Sequence, residues 1–185
     1  MLNILGRSPD HGFDEPLGLL SDCHRRIEGF LALLVKVSDQ WQGRALDEHA
    51  AEAVRRALTY FAHAAPRHTA DEEESLFPRM KDAARARGER CEALERLESD
   101  HDRADPLHAQ VDHLFNDWLR DGSLAPDRAA ELRGLLATLR ELYQGHIHIE
   151  DAEVFPLAGQ LLSHAELREV GDEMRARRGL GSKAH

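Results

Sequence analysis

Apolar residues recur at steps of three and four along most of this chain, which is the spacing of one face of an α-helix. Beta-branched residues are few and no long stretch alternates apolar with polar side chains, so the pattern predicts helices rather than strands. The first predicted helix begins at Pro16, a favourable first-turn residue. Its apolar line also contains a histidine, and its members in order are Leu17, Leu20, His24, Ile27, Leu31 and Leu34.

Three more helices with similar apolar lines follow, and each line also includes a histidine. The second helix is predicted over about 47–76, the third over about 89–119, and the fourth from near Pro126. Pro66 and Pro106 lie inside the second and third helices. Because proline removes a backbone donor, we expect a kink at each of them.

Two stretches of the chain repeat one pattern. The segment HTADEEESLFP starts at His68 and the segment HIHIEDAEVFP starts at His146, 78 residues later, and both have a glutamate four residues after the histidine. The histidines of the first and third helices, His24 and His101, are 77 residues apart, because Cys23 is an extra residue in the first copy. The chain therefore resembles a duplicated helical hairpin. The closing Phe-Pro pairs are predicted to end the second and fourth helices.

Four long helices with short connections predict an all-α fold, an antiparallel up-down four-helix bundle. Ser163 followed by Glu166 is a capping-box pattern that opens a short C-terminal helix. We therefore expect an N-terminal extension over 1–15, the bundle over 16–162, and the short helix with a basic tail over 163–185.

Composition narrows the class of protein. Of the 185 residues, 42% are apolar and 31% charged, which suits a soluble globular protein, and no apolar run is long enough to cross a membrane. The formal net charge of −10 argues against a nucleic-acid surface. Residues 1–15 lack the apolar core of a signal peptide, and two cysteines make no disulfide framework, so we expect a cytoplasmic location.

Histidine is unusually abundant, with 12 residues, and it is the commonest metal ligand in proteins. Residues four apart share a helix face, so each histidine of the two repeated segments can point at the same spot as its glutamate. The four helices together then direct four imidazoles and two carboxylates inward: His24, His68, Glu72, His101, His146 and Glu150.

This set of donors predicts a metal site. Buried carboxylates need cations, and six donors exceed the four of a single zinc site. Two metal ions fit better, each with two histidines, and both carboxylates bridge between them. The mixed donors suit iron or manganese, with zinc as an adventitious occupant. Each ion then has fewer than six ligands, so an oxo or hydroxo group or a small external ligand can bind.

The two His-x-x-x-Glu motifs, with their Phe-Pro ends and matching histidines, resemble the hemerythrin-like family, the HHE cation-binding domains, over about residues 16 to 162. The resemblance implies a four-helix bundle that holds a non-haem di-iron centre. The implied ligands are His24 and His68 for one iron, His101 and His146 for the other, and Glu72 and Glu150 as bridges.

The resemblance also implies a function, namely binding or sensing of oxygen, nitric oxide or a related small diatomic ligand by a monomer or homodimer. One alternative is a stress-response protein with peroxide or nitric-oxide chemistry, or with iron donation for iron–sulfur repair. Another is plain metal storage or an interaction module. No hydrolytic motif is present, so a binding role is expected before an enzymatic one.

Several residues near the predicted ligands have open roles. Asp105 stands where the oxygen-carrying hemerythrins have a further histidine, and we expect a cap or hinge residue there rather than a seventh ligand. His108 shares a face with the third-helix ligand as an outer partner or a core residue. Glu28 is a candidate to orient His24, and Asp151 has the spacing of the oxygen carriers' fourth-helix carboxylate. Three other glutamates are predicted to be solvated: Glu73, Glu74 and Glu153.

Overall fold

A computed structural model describes residues 10–181, and every regular element in that range is helical. None of these helices combines the length and apolar character that a membrane span requires. Two of the elements are π-helical, π1 and π2, and the rest are α-helices. In chain order they are α1 (Pro16–Trp41), α2 (Glu48–His63), α3 (Ala65–Ala70), π1 (Asp71–Leu76), α4 (Phe77–Ala86), α5 (Glu92–Asp121), α6 (Pro126–Ile149), π2 (Glu150–Val154), α7 (Phe155–Leu161) and α8 (His164–Arg177).

Four lines of helix form the predicted bundle: α1, then α2 to α4, then α5, then α6 to α7. Helix α1 packs on α2 and α6, and α5 packs on α6 and α2. The chain leaves α1 through Gln42 and Gly43, which both have left-handed backbone, with φ of 49° and 80°. A Cβ atom on Gly43 would lie 2.3 Å from the Leu124 carbonyl oxygen, so glycine is required where these two loops meet.

The helix boundaries largely follow the sequence signals. The Asp47 side chain caps the start of α2, and Ser163 forms the predicted capping box of α8. The irregularity expected at Pro66 is present as a break at Ala64, between α2 and α3. Helix α5 continues through Pro106, and the kink there stays a prediction.

The Phe-Pro pairs do not end the second and fourth lines of helix, and this corrects the sequence prediction. Each line passes through a π-helical segment and continues, because Phe77 begins α4 and Phe155 begins α7. In both segments the phenylalanine N–H donates to the carbonyl of the glutamate five residues earlier, Glu72 or Glu150. The wider turn makes room for the proline ring, which would clash with a carbonyl of an ordinary helix.

The core consists of two apolar clusters, one toward each end of the bundle. On α1, Leu20 belongs to one cluster and Leu31 to the other, and the buried His24 lies between them. On α5 and α6 as well, the ligand histidine lies between residues of one cluster and residues of the other. The predicted metal ligands therefore occupy a polar layer between two apolar ones, where water has little access.

Helix α8 packs across α1 and π1. Its last turn and the residue after it provide Arg177 and Arg178, which both bind the fully buried Asp71 of π1. Arg178 Nη2 lies 2.6 Å from Asp71 Oδ2. The C-terminal helix is thus attached to the segment that directly precedes Glu72.

Candidate metal centre

The structure brings the six sequence-predicted ligands together in the polar layer. Each imidazole presents its Nε2 atom to a glutamate, and five of the six side chains are buried, with His101 slightly more accessible. The closest Nε2 to carboxylate oxygen distances are 3.0 Å for His24 to Glu150, 3.2 Å for His68 to Glu72, 3.5 Å for His101 to Glu72, and 3.1 Å for His146 to Glu150.

These side chains form two overlapping groups with the geometry of a metal site. Within each group, one ligand atom per residue lies within 4.8 Å of the others. Glu72 and Glu150 belong to both groups. The first group adds the histidines of α1 and α3, and the second adds those of α5 and α6: His24 and His68, then His101 and His146.

The outward Nδ1 atoms of two histidines are held by carboxylates that directly follow the shared glutamates. His24 Nδ1 donates to Asp151 Oδ1 at 3.0 Å, and His101 Nδ1 donates to Glu73 Oε1 at 2.7 Å. Ser21 Oγ donates to the same Asp151 oxygen at 2.7 Å. Each repeat therefore orients a histidine of the other repeat. A carboxylate behind a metal-ligating histidine fixes the ring and raises its basicity.

Glu73 was predicted to be solvated, and the structure shows this prediction to be wrong. Glu73 lies within π1, and its carboxylate accepts a hydrogen bond from His101 of α5. Asp151 has the corresponding position in π2, and its carboxylate accepts a hydrogen bond from His24. Sequence periodicity did not reveal these contacts, although the acidic residue after each glutamate was a visible signal.

The other two histidines have unequal surroundings. Neither Nδ1 atom has a hydrogen-bond partner among the residues that the structure describes, but His146 Nδ1 lies 3.9 Å from a carboxylate oxygen, Asp100 Oδ2. The repeat explains the difference. The counterpart of Asp100 is Asp22, and the extra Cys23 moves it out of register, so that Asp22 instead accepts a hydrogen bond at 2.8 Å from the backbone of the N-terminal segment.

The pKa values of the buried histidines and glutamates are shifted in different directions. Burial alone would lower the pKa of His24, but the carboxylates around it, first of all Asp151, raise that pKa to about 12. Contacts with two imidazoles outweigh burial and lower the pKa of Glu150. Burial and the charge of Glu150 raise the pKa of Glu72, and burial lowers the pKa of His68. Protons and a cation therefore compete for His24 and Glu72, so metal binding is linked to pH.

The unsatisfied atoms of the site fit a metal ion. Glu72 and Glu150 are fully buried, and none of their four carboxylate oxygens makes a hydrogen bond of normal geometry within residues 10–181. Buried carboxylates without such partners are costly unless a cation neutralises them. Imidazole nitrogens and carboxylate oxygens are the donors that iron, manganese and zinc share.

The remaining candidates lie outside the group of six. Asp105 is exposed, in agreement with a role other than a seventh ligand. Glu28 is also exposed, and the partner that orients His24 is Asp151 instead. A hydrogen bond of 2.8 Å joins His108 Nε2 to the Tyr143 hydroxyl and not to a ligand residue. Two other glutamates are solvated as predicted: Glu74 and Glu153.

Comparison with known proteins agrees with this geometry. Residues 15–158 match the hemerythrin HHE cation binding domain, so the chain belongs to the hemerythrin HHE family. An uncharacterized protein of Haemophilus influenzae is 27% identical over 167 residues, which cover 90% of this chain and 91% of that protein. The family and the buried histidine–glutamate cluster together support a metal-binding protein.

Proposed function

We propose that this protein holds two iron ions and uses them to bind or sense a small diatomic ligand such as oxygen or nitric oxide. One ion is held by His24 and His68, and the other by His101 and His146. Both ions share Glu72 and Glu150. Manganese or zinc can take the place of iron, because the donors suit all three metals.

The observation that carries the proposal is the sharing of two glutamates by two groups of histidines. Glu72 faces His68 on one side and His101 on the other, and Glu150 faces His24 and His146 in the same way. Because the ligand atoms fall into two groups of four, an ion bound in one group would leave the two histidines of the other group without a metal. Two ions use every buried donor and are held together by the two negative charges.

The ligand count supports binding of an external molecule. Two imidazoles and two shared carboxylates give each ion four donors, which is fewer than the six that iron commonly accepts. The approach to the centre is narrow, and its lining includes Ile27, Ala65 and Tyr143 along with the histidines. A site of this kind favours a ligand of two or three atoms. The bound iron would supply the electrons for reversible binding, and this chain's residues hold it and exclude water.

The setting that we propose is the cytoplasm. Cys23 and Cys91 are free thiols, which is the usual state in a reducing compartment.

The direct test measures metal content and optical spectra together. Protein purified without a metal-affinity column should contain about two iron ions per chain by elemental analysis. After anaerobic reduction, addition of oxygen or nitric oxide should produce a new absorption band that disappears when the gas is removed. Many turnovers of peroxide or nitric oxide would favour the stress-response alternative, and failure to bind either gas would refute the proposed function.

A further inference from the structure

A mostly apolar cleft of about 220 Å³ lies beside the metal centre, between α1, α2 and α5. Its inner wall is made of buried residues from all three helices, and exposed residues, including Ala62, Ala109 and Asp112, surround its mouth. The principal lining residues are Leu34, Leu58, Phe61, His108 and Val111. A largely apolar lining favours small uncharged molecules, and xenon is a suitable probe of such a site.

One pair of side chains lies between this cleft and the centre. His108 lines the cleft, and its Nε2 atom is joined by a hydrogen bond of 2.8 Å to the hydroxyl of Tyr143. Tyr143 in turn lines the narrow approach to the four histidines, and its ring lies edge-on to His146 with centroids 6.4 Å apart. The Phe61 ring packs on His108 from the cleft side, at 4.7 Å. The order from outside to inside is cleft, His108, Tyr143, ligand histidines.

The apolar lining of the cleft disfavours charged molecules. Leu34 and Val111 are almost completely buried, and the polar part of the inner wall is His108. Burial lowers the pKa of His108 to about 4, despite the charge of nearby Asp105, so the imidazole is neutral at physiological pH. Asp112 at the mouth adds a negative charge where solutes enter. An uncharged small molecule can enter such a cleft at little cost, whereas an anion would lose its hydration without a partner.

We propose that this cleft is the entry chamber for an uncharged diatomic ligand, and that the hydrogen-bonded pair of His108 and Tyr143 is the gate between the chamber and the metal centre. The inference rests on the proposed function and adds the route by which the ligand arrives. Rotation of the Tyr143 ring would break one hydrogen bond, a modest net cost that thermal motion can meet.

The first test asks whether the chamber accepts an uncharged apolar probe. Xenon added to the purified metal-loaded protein should show a bound-state shift in its nuclear magnetic resonance spectrum. Ala62→Trp places a large ring at the mouth from an exposed helical position, and it should remove that shift. Ala109→Trp does the same from α5, in case one of the two variants folds poorly. Ala130→Trp, at an exposed position on α6 away from the cleft, is the matched control. If xenon shows no bound-state shift with the wild-type protein, the cleft does not accept an uncharged apolar molecule and the proposed entry chamber is refuted.

The second test measures association of nitric oxide with the reduced protein by stopped flow. Ala62→Trp should slow association about tenfold and slow dissociation equally, because a blocked route changes the barrier and not the bound state. Tyr143→Phe removes the hydrogen bond of the gate and should speed association, with metal content unchanged. Association at the wild-type rate in both tryptophan variants would refute the entry route. If wild-type protein binds xenon in the cleft but binds no nitric oxide or oxygen, the proposed function fails and the entry route fails with it, and the cleft is an apolar binding site only.

Discussion

At the scale of single residues, the two repeats support each other through outer carboxylates. Glu73 follows one shared glutamate and holds the ring of His101, and Asp151 follows the other and holds the ring of His24. In a simple duplication, each hairpin would support its own histidine. The exchange ties the two halves of the bundle together at the point where the metal is proposed to bind.

Asp151→Asn tests this arrangement, because it keeps the size of the side chain and removes its charge. We expect metal affinity to fall by about 10–100-fold, the usual consequence of losing a carboxylate behind a metal-ligating histidine. Glu73→Gln should have a similar effect through His101. Competition with a chromophoric chelator measures both affinities.

Glu153→Gln is the matched control, since Glu153 lies in the same π segment as Asp151 and is exposed. It should change metal affinity little. Equal losses in Asp151→Asn and Glu153→Gln would show that net negative charge, and not the orientation of His24, determines affinity.

His108 gives a pH dependence that can be assigned to one residue. Its folded pKa is about 4, below the ordinary value of 6.5, because burial disfavours the charged ring. The unfolded chain therefore binds more protons than the folded one between these values, so stability is complete above about pH 6.5 and is lost as pH falls toward 4. At about 1.4 kcal/mol per pKa unit, the loss amounts to roughly 3 kcal/mol.

His108→Gln has no titrating ring at this position and can still form a hydrogen bond with Tyr143. Urea unfolding of metal-free protein at pH 7 and pH 4.5 should show a smaller acid loss in the variant than in the wild type. Parallel pH profiles for the two proteins would mean that His108 is protonated equally in the folded and unfolded states. Asp105 and Tyr143, which face the imidazole, are unchanged in this comparison.

At the scale of the elements, the long helices and the inward donors could be predicted from sequence, and the π segments could not. Residues four apart share a face on any helix, so the two His-x-x-x-Glu motifs, with the in-line histidines of the other two helices, predicted the inward donors. A π turn adds one residue to a turn without a compositional signal, and the contact of Glu73 with His101 occurs within such a segment. The partner of Asp71 is likewise more than a hundred residues away, on a helix whose docking the apolar pattern does not specify.

The attachment of α8 to π1 depends on Asp71, which is fully buried and binds Arg177 and Arg178. Asp71→Asn would leave two guanidinium groups facing a neutral amide, so we expect the free energy of unfolding to fall by about 2–3 kcal/mol. Urea denaturation with metal-loaded protein measures the change.

Glu74→Gln provides the comparison, because Glu74 also binds Arg177 but its side chain is 69% exposed. An exposed ion pair contributes little, and we expect a loss below about 0.5 kcal/mol. An Asp71→Asn variant as stable as Glu74→Gln would show that the ion pairs of Asp71 contribute little to the attachment of α8.

At the scale of the whole molecule, a polar layer of six side chains separates the two apolar clusters of the bundle. A cation that binds only the folded chain stabilises it by mass action, by about 4 kcal/mol when free metal is a thousand times the dissociation constant. For a chain of this size, that corresponds to a rise in Tm of roughly 10 °C.

Removal of the metal with a chelator should therefore lower the Tm by about this amount at neutral pH. The difference should shrink in acid, because protons compete with the metal for His24 and Glu72. Differential scanning calorimetry of loaded and chelated protein at two pH values gives both quantities. Equal melting temperatures at neutral pH would contradict a structural role for the metal.

The central claim is that two metal ions share two carboxylates. It predicts that loss of a shared glutamate and loss of a histidine reduce metal binding by different amounts. Glu72→Gln keeps the shape of a shared ligand but removes a negative charge from between two cations, and Glu150→Gln does the same from the other repeat. His24→Ala or His101→Ala removes one donor from one ion. Loss of a shared ligand should therefore weaken both ions, and loss of a histidine should mainly weaken one.

The measurement that tests this claim most directly is the iron content per chain of Glu72→Gln, determined by elemental analysis beside the wild type, His24→Ala and Glu153→Gln. We predict about two ions in the wild type and in Glu153→Gln, about one in His24→Ala, and close to none in Glu72→Gln. A wild-type protein that takes up a single ion, or a Glu72→Gln protein that retains both, would contradict the shared-carboxylate centre.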